Sequence, residues 1–390
     1  MTTIVRLMGG YKMSSKSELQ EVLNNMKDPR LAMFVVCCHV DKPLGEKEPE
    51  SIYNIPIQAG AALTDKRVCA INDFDNSEDN ISDRNQRYCE MTAIYWAWKN
   101  SISDYIGITH YRRRFVIDDA TLSKYMDQDV DIITTSPYKL PEIVSENYRV
   151  SYFGCEWDMI IDILQRRYPE YMDIASVEFA KDTMHPCNIN IFKRSLYNEY
   201  CEFIFSILDE YFHNTPVKFD TYQRRDAGFI AERLSSLFVE KKRAEGCSVI
   251  EVPFSDLRSK DWCPEDECDL SDFDAVYSAC QKYYLNHNIT RCRNLVAGAL
   301  NHNGITDKRI ESLARLFQAA IREQRILPQT MYEYLPEQWK SDLDTLMSAY
   351  NGLRTIVGLA KTNSTPEVQS MYKEFINATG FSKIAIDMAQ

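Results

Sequence analysis

The stretch DYIGITHYRRRF, Asp104–Phe115, runs from strand-forming residues into a histidine, a tyrosine and three successive arginines. A short apolar run bounded by polar residues reads as a buried strand. In open α/β sheets ligands collect outside the carboxyl ends of strands. The surrounding pattern therefore decides whether these arginines stand at a binding site or on an ordinary surface.

Working outward, LAMFVVCCHV (Leu31–Val40) is a continuous apolar run of the kind that forms a strand covered on both faces. YNIPIQAGAAL (Tyr53–Leu63) carries Pro56 and Gly60, which predict a close approach of the backbone to a neighbour. Asp65–Asp83 is acidic and rich in turn residues. Tyr88, Met91, Tyr95 and Trp98 then recur at spacings of three and four and predict a helix ending near Asn100. That spacing also accounts for Tyr95, Trp96 and Trp98 as core residues. DVDIITT (Asp129–Thr135) is a second buried strand and MHPCNINIF (Met184–Phe192) a return strand. Leu196, Tyr200, Phe203, Ile207 and Tyr211 mark one face of a helix, FDTYQRRDAGFIAERL leads into another, and CSVIEVPF closes the set with a strand. Strands alternating with helices from Leu31 to Phe254 predict an α/β domain with a mostly parallel sheet.

Ser136–Asp158 holds Pro137, Pro141, Gly154 and three tyrosines and reads as an irregular substrate loop, followed by a helix from Trp157 to Arg167. The residues before Leu31 are polar, with a helix around Lys16–Met26. Beyond Asp256 strand signals vanish, and Phe273–Gln390 reads as successive helices without a fixed repeat. The expected domains are an N-terminal helical extension (1–30), an α/β domain (31–258) and a helical C-terminal domain (259–390).

The 390 residues, 45% hydrophobic, are enough for a sizeable core. The net charge of -12 argues against nucleic acid as a partner, because such binders carry a basic excess. Twelve cysteines without a regular framework, and no signal peptide at the amino terminus, predict reduced thiols and a cytoplasmic location. No apolar run spans a bilayer, which leaves either a soluble protein or one that touches the inner face of a membrane peripherally. Cys263 and Cys268 have no second pair at ligand spacing and read as a surface turn, not a zinc site. For the arginine run, guanidinium groups hold phosphate oxygens by paired hydrogen bonds, which makes a nucleotide diphosphate the natural guest. The competing reading pairs the arginines with Asp118 and Asp119 at the surface. His110 likewise reads either as a site group or as a satisfied structural histidine.

NIS-RN--YCE-TA-YW-WKN (Asn80–Asn100), followed by DYIG-THYRR-F, resembles the signature of a domain-of-unknown-function family that recurs in capsular and exopolysaccharide gene products. Its members are regarded as glycosyltransferases related to the GT-A fold. YNIPIQAGAAL, RRYPEY, HPCNINIF and R--GF-AERL extend the resemblance over Leu31–Phe254. It implies a GT-A-like (Rossmann-like), mostly parallel mixed sheet with flanking helices, ahead of the all-α C-terminal domain. It also implies a hexosyltransferase that moves a sugar from a nucleotide-sugar donor, a UDP-sugar, to a glycan or lipid-linked acceptor. In GT-A enzymes the strand at this place usually ends in Asp-x-Asp, which carries a divalent metal. Here His110, Tyr111 and Arg112 stand instead, with Arg113 beside them. Fixed cations can stabilise a leaving diphosphate as a metal does, so no metal is expected to be required. Mn or Mg held by Asp118 and Asp119 is the alternative.

By the same resemblance, Val36–Val40 face the base and ribose, Gln58 and Gly60 approach the same ligand, and Asn85 and Glu90 contact nucleotide or sugar. His185 and Asn188 line the sugar and acceptor side. Asn85 also reads as a helix cap. A base for the acceptor hydroxyl is expected among Asp220, Asp226 and Glu232, with Glu232 equally readable as a helix-surface partner of its neighbours. Where family members often place a histidine, this chain reads SYFGCEWD, with Cys155 and Glu156. A non-catalytic nucleotide-sugar or glycan-binding scaffold, with the helical tail mediating homo-oligomer assembly or contact with a membrane-bound partner, is the alternative function. A phosphate-ester hydrolase using His110 lacks a second histidine or a nucleophile motif.

Overall fold

The apolar run after residue 30 forms strand β1 (Leu31–Cys37) at the heart of a six-stranded sheet. The computed structural model describes residues 16–47, 49–68, 74–152, 154–218, 220–257, 268–286, 288–303, 308–311, 313–314, 317, 343–362 and 365–379. Cys263, the linker after residue 303 and the last residues of the chain lie outside them. In chain order the elements around β1 are α1 (Lys16–Asn24), β2 (Asn54–Gln58), α2 (Asn85–Tyr88), α3 (Met91–Asn100), β3 (Tyr105–His110), β4 (Arg113–Phe115) and α4 (Asp119–Asp127). Next come β5 (Ile132–Thr135), β6 (Tyr138–Lys139), α5 (Val144–Ser151), α6 (Gly154–Arg167), α7 (Met172–Glu178) and β7 (Thr183–Met184). The α/β part ends with β8 (Asn190–Lys193), α8 (Arg194–Asn214), α9 (Asp226–Ala244), β9 (Val249–Val252) and β10 (Phe254–Asp256).

The sheet order is β2-β1-β3-β8-β5-β9. β1 runs parallel to β2 and β3, β5 runs parallel to β9, and β8 is antiparallel to both neighbours. The sheet is thus mixed and mostly parallel, as expected. Residues on one face, Met33, Tyr105, Ile133 and Ile191, pack with Leu122 and Met126 of α4. Side chains alternate across a strand, so Phe34 and Phe192 point the other way. There Phe34 meets Trp96 of α3 edge-on, with ring centroids 6.1 Å apart, and Phe192 meets Tyr200 of α8 and Phe238 of α9. Helices on both faces explain why β1 carries no polar alternation.

Ser136–Asp158 is not the irregular loop that its prolines predict: β6, α5 and the start of α6 lie within it. Among the described side chains of α5, Val144 and Tyr148 are the apolar ones in the core, too few to write a helical period. β4 and β10 form a separate two-stranded antiparallel ladder in which Arg113 faces Asp256.

The chain divides into two compact units. One holds the sheet and takes in the chain up to Asn147 together with Asp158–Thr215 and Arg225–Ser259. The other joins Tyr148–Trp157 and Pro216–Arg224 to everything from Lys260 onward. Its described helices are α10 (Phe273–Leu285), α11 (Ile289–Asn303), α12 (Leu343–Thr362) and α13 (Pro366–Thr379), around a core that includes Val276, Tyr284, Leu295 and Phe317. Glu156, at the departure from the family pattern, is buried in this unit, ion-paired with Lys218, and accepts a hydrogen bond from Tyr148. Among the described residues no helix is long and apolar enough to cross a membrane.

Candidate functional site

The sheet order places β1 between β2 and β3, so the chain leaves β1 to one side and returns to β3 on the other. Such a reversal opens a crevice at the carboxyl ends of the two strands. Val36 of β1 is in register with His110, and the Tyr111 N–H donates to the Val36 carbonyl at 2.8 Å. The turn that follows is pinned along its backbone. Thr109 Oγ1 donates to the Arg113 carbonyl (2.6 Å), the Leu257 N–H to the Arg112 carbonyl (2.7 Å) and Arg114 Nε to the Tyr111 carbonyl (3.2 Å). Arg114 is therefore a buried brace, whereas Arg112 and Arg113 are each only partly buried.

Burial, then the charges of Arg113, Arg112 and Arg225, hold His110 down to about 3, against the opposing effect of a hydrogen bond to the Cys187 backbone. The imidazole is neutral at any physiological pH. Arg225 precedes α9; its Nε lies 3.1 Å from Cys89 Sγ, and its guanidinium sits 5.3 Å from the Phe229 ring centroid. Arg113 Nε is 3.4 Å from Asp256 Oδ2. Glu232, on α9, is held above the ordinary carboxylate range by burial and by the charge of Glu90, with Arg233, Arg113 and Arg225 pulling the other way. Asp41, just past β1, is raised to about 6, mainly by burial, although the Cys38 N–H donates to it at 2.5 Å and Arg112 and Tyr111 favour its charged form. Burial and the nearby Asp41 push the Tyr111 phenol up to about 12.

The opposite wall is the Cys187–Asn188 turn, in which two successive non-glycine residues take the left-handed region, with φ 70° and 53°. The turn delivers Asn188 Nδ2 to Glu90 Oε1 at 2.8 Å. Glu90 Oε1 in turn lies 3.9 Å from His110 Nε2. The fold thus brings together His110, Tyr111, Arg112, Arg113, Glu90, Asn188 and Glu232 from the sequence reading.

Other expected residues stand elsewhere. Gln58 is buried and bonded to the Lys66 carbonyl (2.8 Å) and the Val68 N–H (3.0 Å). The Gly60 N–H donates to the buried carboxylate of Asp75 at 2.6 Å. Gly60 has φ 70°, and a Cβ there would come within 2.6 Å of Asn85 Oδ1, so the close approach forecast by the glycine is to Asn85. Asn85 donates to the Cys89 carbonyl at 2.7 Å. Asp226 is locked to Arg87 and Tyr211. Asp220, in the second unit, is fully buried and accepts from the backbones of Tyr222 and Gln223 (both 2.8 Å) and Thr290 (2.9 Å). His185 bridges the Thr135 carbonyl (2.6 Å) and Glu240 (3.0 Å).

A divalent ion takes oxygen ligands, chiefly carboxylates. Asp118 caps α4 through the Thr121 N–H (2.7 Å), and Asp119 accepts from Ser51 Oγ and the Ile52 N–H (2.6 and 3.0 Å). Neither carboxylate is available to the crevice, and three guanidiniums around His110 fit an anion better than a cation. One group among the described residues, His185, Glu240 and Glu251, has metal-ligand spacing, but Arg243 bridges its two carboxylates at 3.2 and 2.5 Å. Arg225 and Asp41 also face this candidate crevice, and the sequence reading did not single them out. The signal for Arg225 was its place in the R--GF-AERL motif, and for Asp41 its place after the first buried strand.

Sheet order, flanking helices and a cationic strand-end crevice define an α/β protein of GT-A-like architecture. The chain belongs to the family described as Domain of unknown function (DUF4422), whose model matches residues 33–243, more than half of its length. Among solved structures, its fold is similar to the apo structure of WbbM, a bifunctional glycosyltransferase, with a TM-score of 0.51 and 22% identity over 58% of this chain. The match spans 45% of the WbbM chain, less than half of its length. None of the curated proteins matches the chain.

Proposed function

We propose that this protein is a glycosyltransferase that moves a sugar from a UDP-sugar to a glycan or lipid-linked acceptor in capsular or exopolysaccharide synthesis, at the cytoplasmic side of the membrane. The observation that carries this reading is the convergence of Arg112, Arg113 and Arg225 on the neutral His110 at the crevice between β1 and β3. These guanidiniums bind the donor's diphosphate and stabilise the charge that grows on it as the glycosidic bond breaks. They supply what a divalent ion supplies in other transferases, so this reading needs no metal. Fold similarity to WbbM, itself described as a glycosyltransferase, supports the assignment.

In an inverting course Glu232 is the base. The acceptor oxygen forms its bond to the anomeric carbon and its proton passes to the Glu232 carboxylate. The bond from anomeric carbon to diphosphate breaks, and the electron pair leaves with UDP. Burial holds Glu232 above the usual carboxylate range, which makes it a stronger base than an exposed acid.

The test is release of UDP from UDP-sugars in the presence of mixed glycan and lipid-linked acceptors, with and without chelator. Turnover that survives chelation is expected. A folded protein that binds UDP and never turns over a donor is a binding scaffold, and activity that only Mn or Mg restores overturns the metal-free mechanism.

A further inference from the structure

His110 Nε2 and Asn188 Oδ1 are both buried and have no hydrogen-bond partner among the described residues. Asn188 is 2% exposed and is aimed into the crevice wall, since its amide nitrogen is bonded to Glu90 Oε1. That bond also settles the amide orientation, because the opposite one would set oxygen against carboxylate oxygen. In the neutral imidazole one nitrogen carries the hydrogen that meets the Cys187 carbonyl. Nε2, which lacks a partner, is then the acceptor. It points toward Glu90 Oε1 at 3.9 Å, too far for a hydrogen bond and acceptor against acceptor. Three acceptors, His110 Nε2, Glu90 carboxylate and Asn188 Oδ1, thus crowd one wall of a crevice whose other residues are cationic.

We infer that this wall is a subsite for a vicinal diol, in which one hydroxyl donates to His110 Nε2 and its neighbour to Glu90 or Asn188. An uncompensated acceptor in a buried place is costly, and a row of them selects a ligand rich in donors. A cation is disfavoured by the arginines, and an anion by the acceptors themselves. A neutral polyhydroxylated ring satisfies both. The inference rests on the reading of the arginines as a diphosphate cradle, which sets such a ring beside them. Two rings of a nucleotide-sugar have this chemistry, the transferred hexose and the ribose.

Glu90→Gln tests it with little change in volume. The new amide keeps its oxygen for Asn188 Nδ2, and its NH2 replaces the other carboxylate oxygen, so the wall loses one acceptor and its negative charge. Affinities of wild type and variant are measured by titration calorimetry for UDP, 2′,3′-dideoxy-UDP, UDP-glucose, UDP-galactose and UDP-N-acetylglucosamine, with melting curves to establish that the variant is folded. For a hexose subsite, Glu90→Gln weakens at least one UDP-sugar roughly tenfold and leaves UDP unchanged. For a ribose subsite it weakens UDP by a similar factor, and the loss disappears with 2′,3′-dideoxy-UDP. Unchanged affinities throughout, or a loss that dideoxy-UDP shares, overturn the diol subsite. If Arg112→Ala still weakens UDP in that case, the diphosphate cradle stands without it. Failure of the wild type to bind any of the five ligands overturns both.

Discussion

Arg87 and Asp226 meet side-on inside the α/β unit, with Nε to Oδ1 at 3.1 Å and Nη2 to Oδ2 at 2.7 Å, and neither side chain is more than 4% exposed. Tyr211 donates to the same carboxylate at 2.9 Å, and Arg87 also reaches the Thr215 hydroxyl at 2.6 Å. The pair joins α2 to the end of α8 and the start of α9. Removing one partner of a buried pair leaves the other charge uncompensated, which costs about 3–5 kcal/mol. Asp226→Asn is therefore expected to lower the urea midpoint sharply, while UDP affinity at a temperature where the variant is folded stays near wild type. An unchanged midpoint would mean that the carboxylate is not a structural partner and would return Asp226 to the candidates for catalytic base.

Arg112 and Arg225 reach the crevice from different elements, and each is expected to contribute a charge-assisted bond to the diphosphate. Arg112→Ala and Arg225→Ala should each weaken UDP binding by about 1.5–3 kcal/mol. The two losses should not add, because the residues share one ligand group. Binding should also weaken as salt rises, since part of the attraction is screened. Arg114→Ala makes the contrast: its guanidinium braces the Tyr111 carbonyl, so the expected loss is in melting temperature. Calorimetric titration across salt concentrations checks the first two variants and melting curves the third, and UDP affinity indifferent to Arg112 and Arg225 would move the phosphate site elsewhere.

The parts of this architecture that the sequence states openly are those with one environment along their length. β1 is covered on both faces and writes itself as an apolar run, and α8 repeats its buried rings at helical spacing. In α3 the same spacing overreaches: Trp96 is buried, but Tyr95 and Trp98 are only half-buried. β4, β6, β7 and β10 have two or three residues each, too few for any period, and their partners are set by tertiary pairing. The candidate site divides the same way. His110 to Arg113 is legible because charge follows directly on a buried strand. Arg225 comes to the same place only through the packing of α9, and its place in the R--GF-AERL motif marks the residue without saying where it packs. Gly60 shows the limit of a correct local inference: a close approach is there, but the residue that approaches is Asn85, not a ligand.

Folded His110 takes up a proton only near pH 3, against 6.5 for the free side chain. Between these values the unfolded chain binds more protons than the native one, so His110 makes stability fall as pH falls below 6.5. The slope is at most about 1.4 kcal/mol per pH unit. His110→Gln lacks this term. In urea titrations at pH 7 and pH 5, the stability of the wild type relative to the variant should drop by up to about 2 kcal/mol at the lower pH. A pH-independent difference would show that His110 titrates alike in both states, and the neutral acceptor at Nε2 would lose its basis.

Glu232 is the one of the three expected acids whose carboxylate faces the cationic crevice, with Arg113 and Arg225 among the charges acting on it. As a base it must be ionised, and its raised pKa carries the acid limb of kcat/KM above the ordinary carboxylate range. Glu232→Gln keeps the volume and removes the proton acceptor, so kcat should fall by about 10²–10⁴-fold. UDP affinity should change little, because Glu232 acts on the acceptor hydroxyl and not on the leaving group. The acid limb should also vanish from whatever residual activity remains, which a purely structural role would not produce. Turnover within severalfold of wild type with the acid limb intact would exclude Glu232 as the base and favour a retaining course, in which no carboxylate is needed for the acceptor proton.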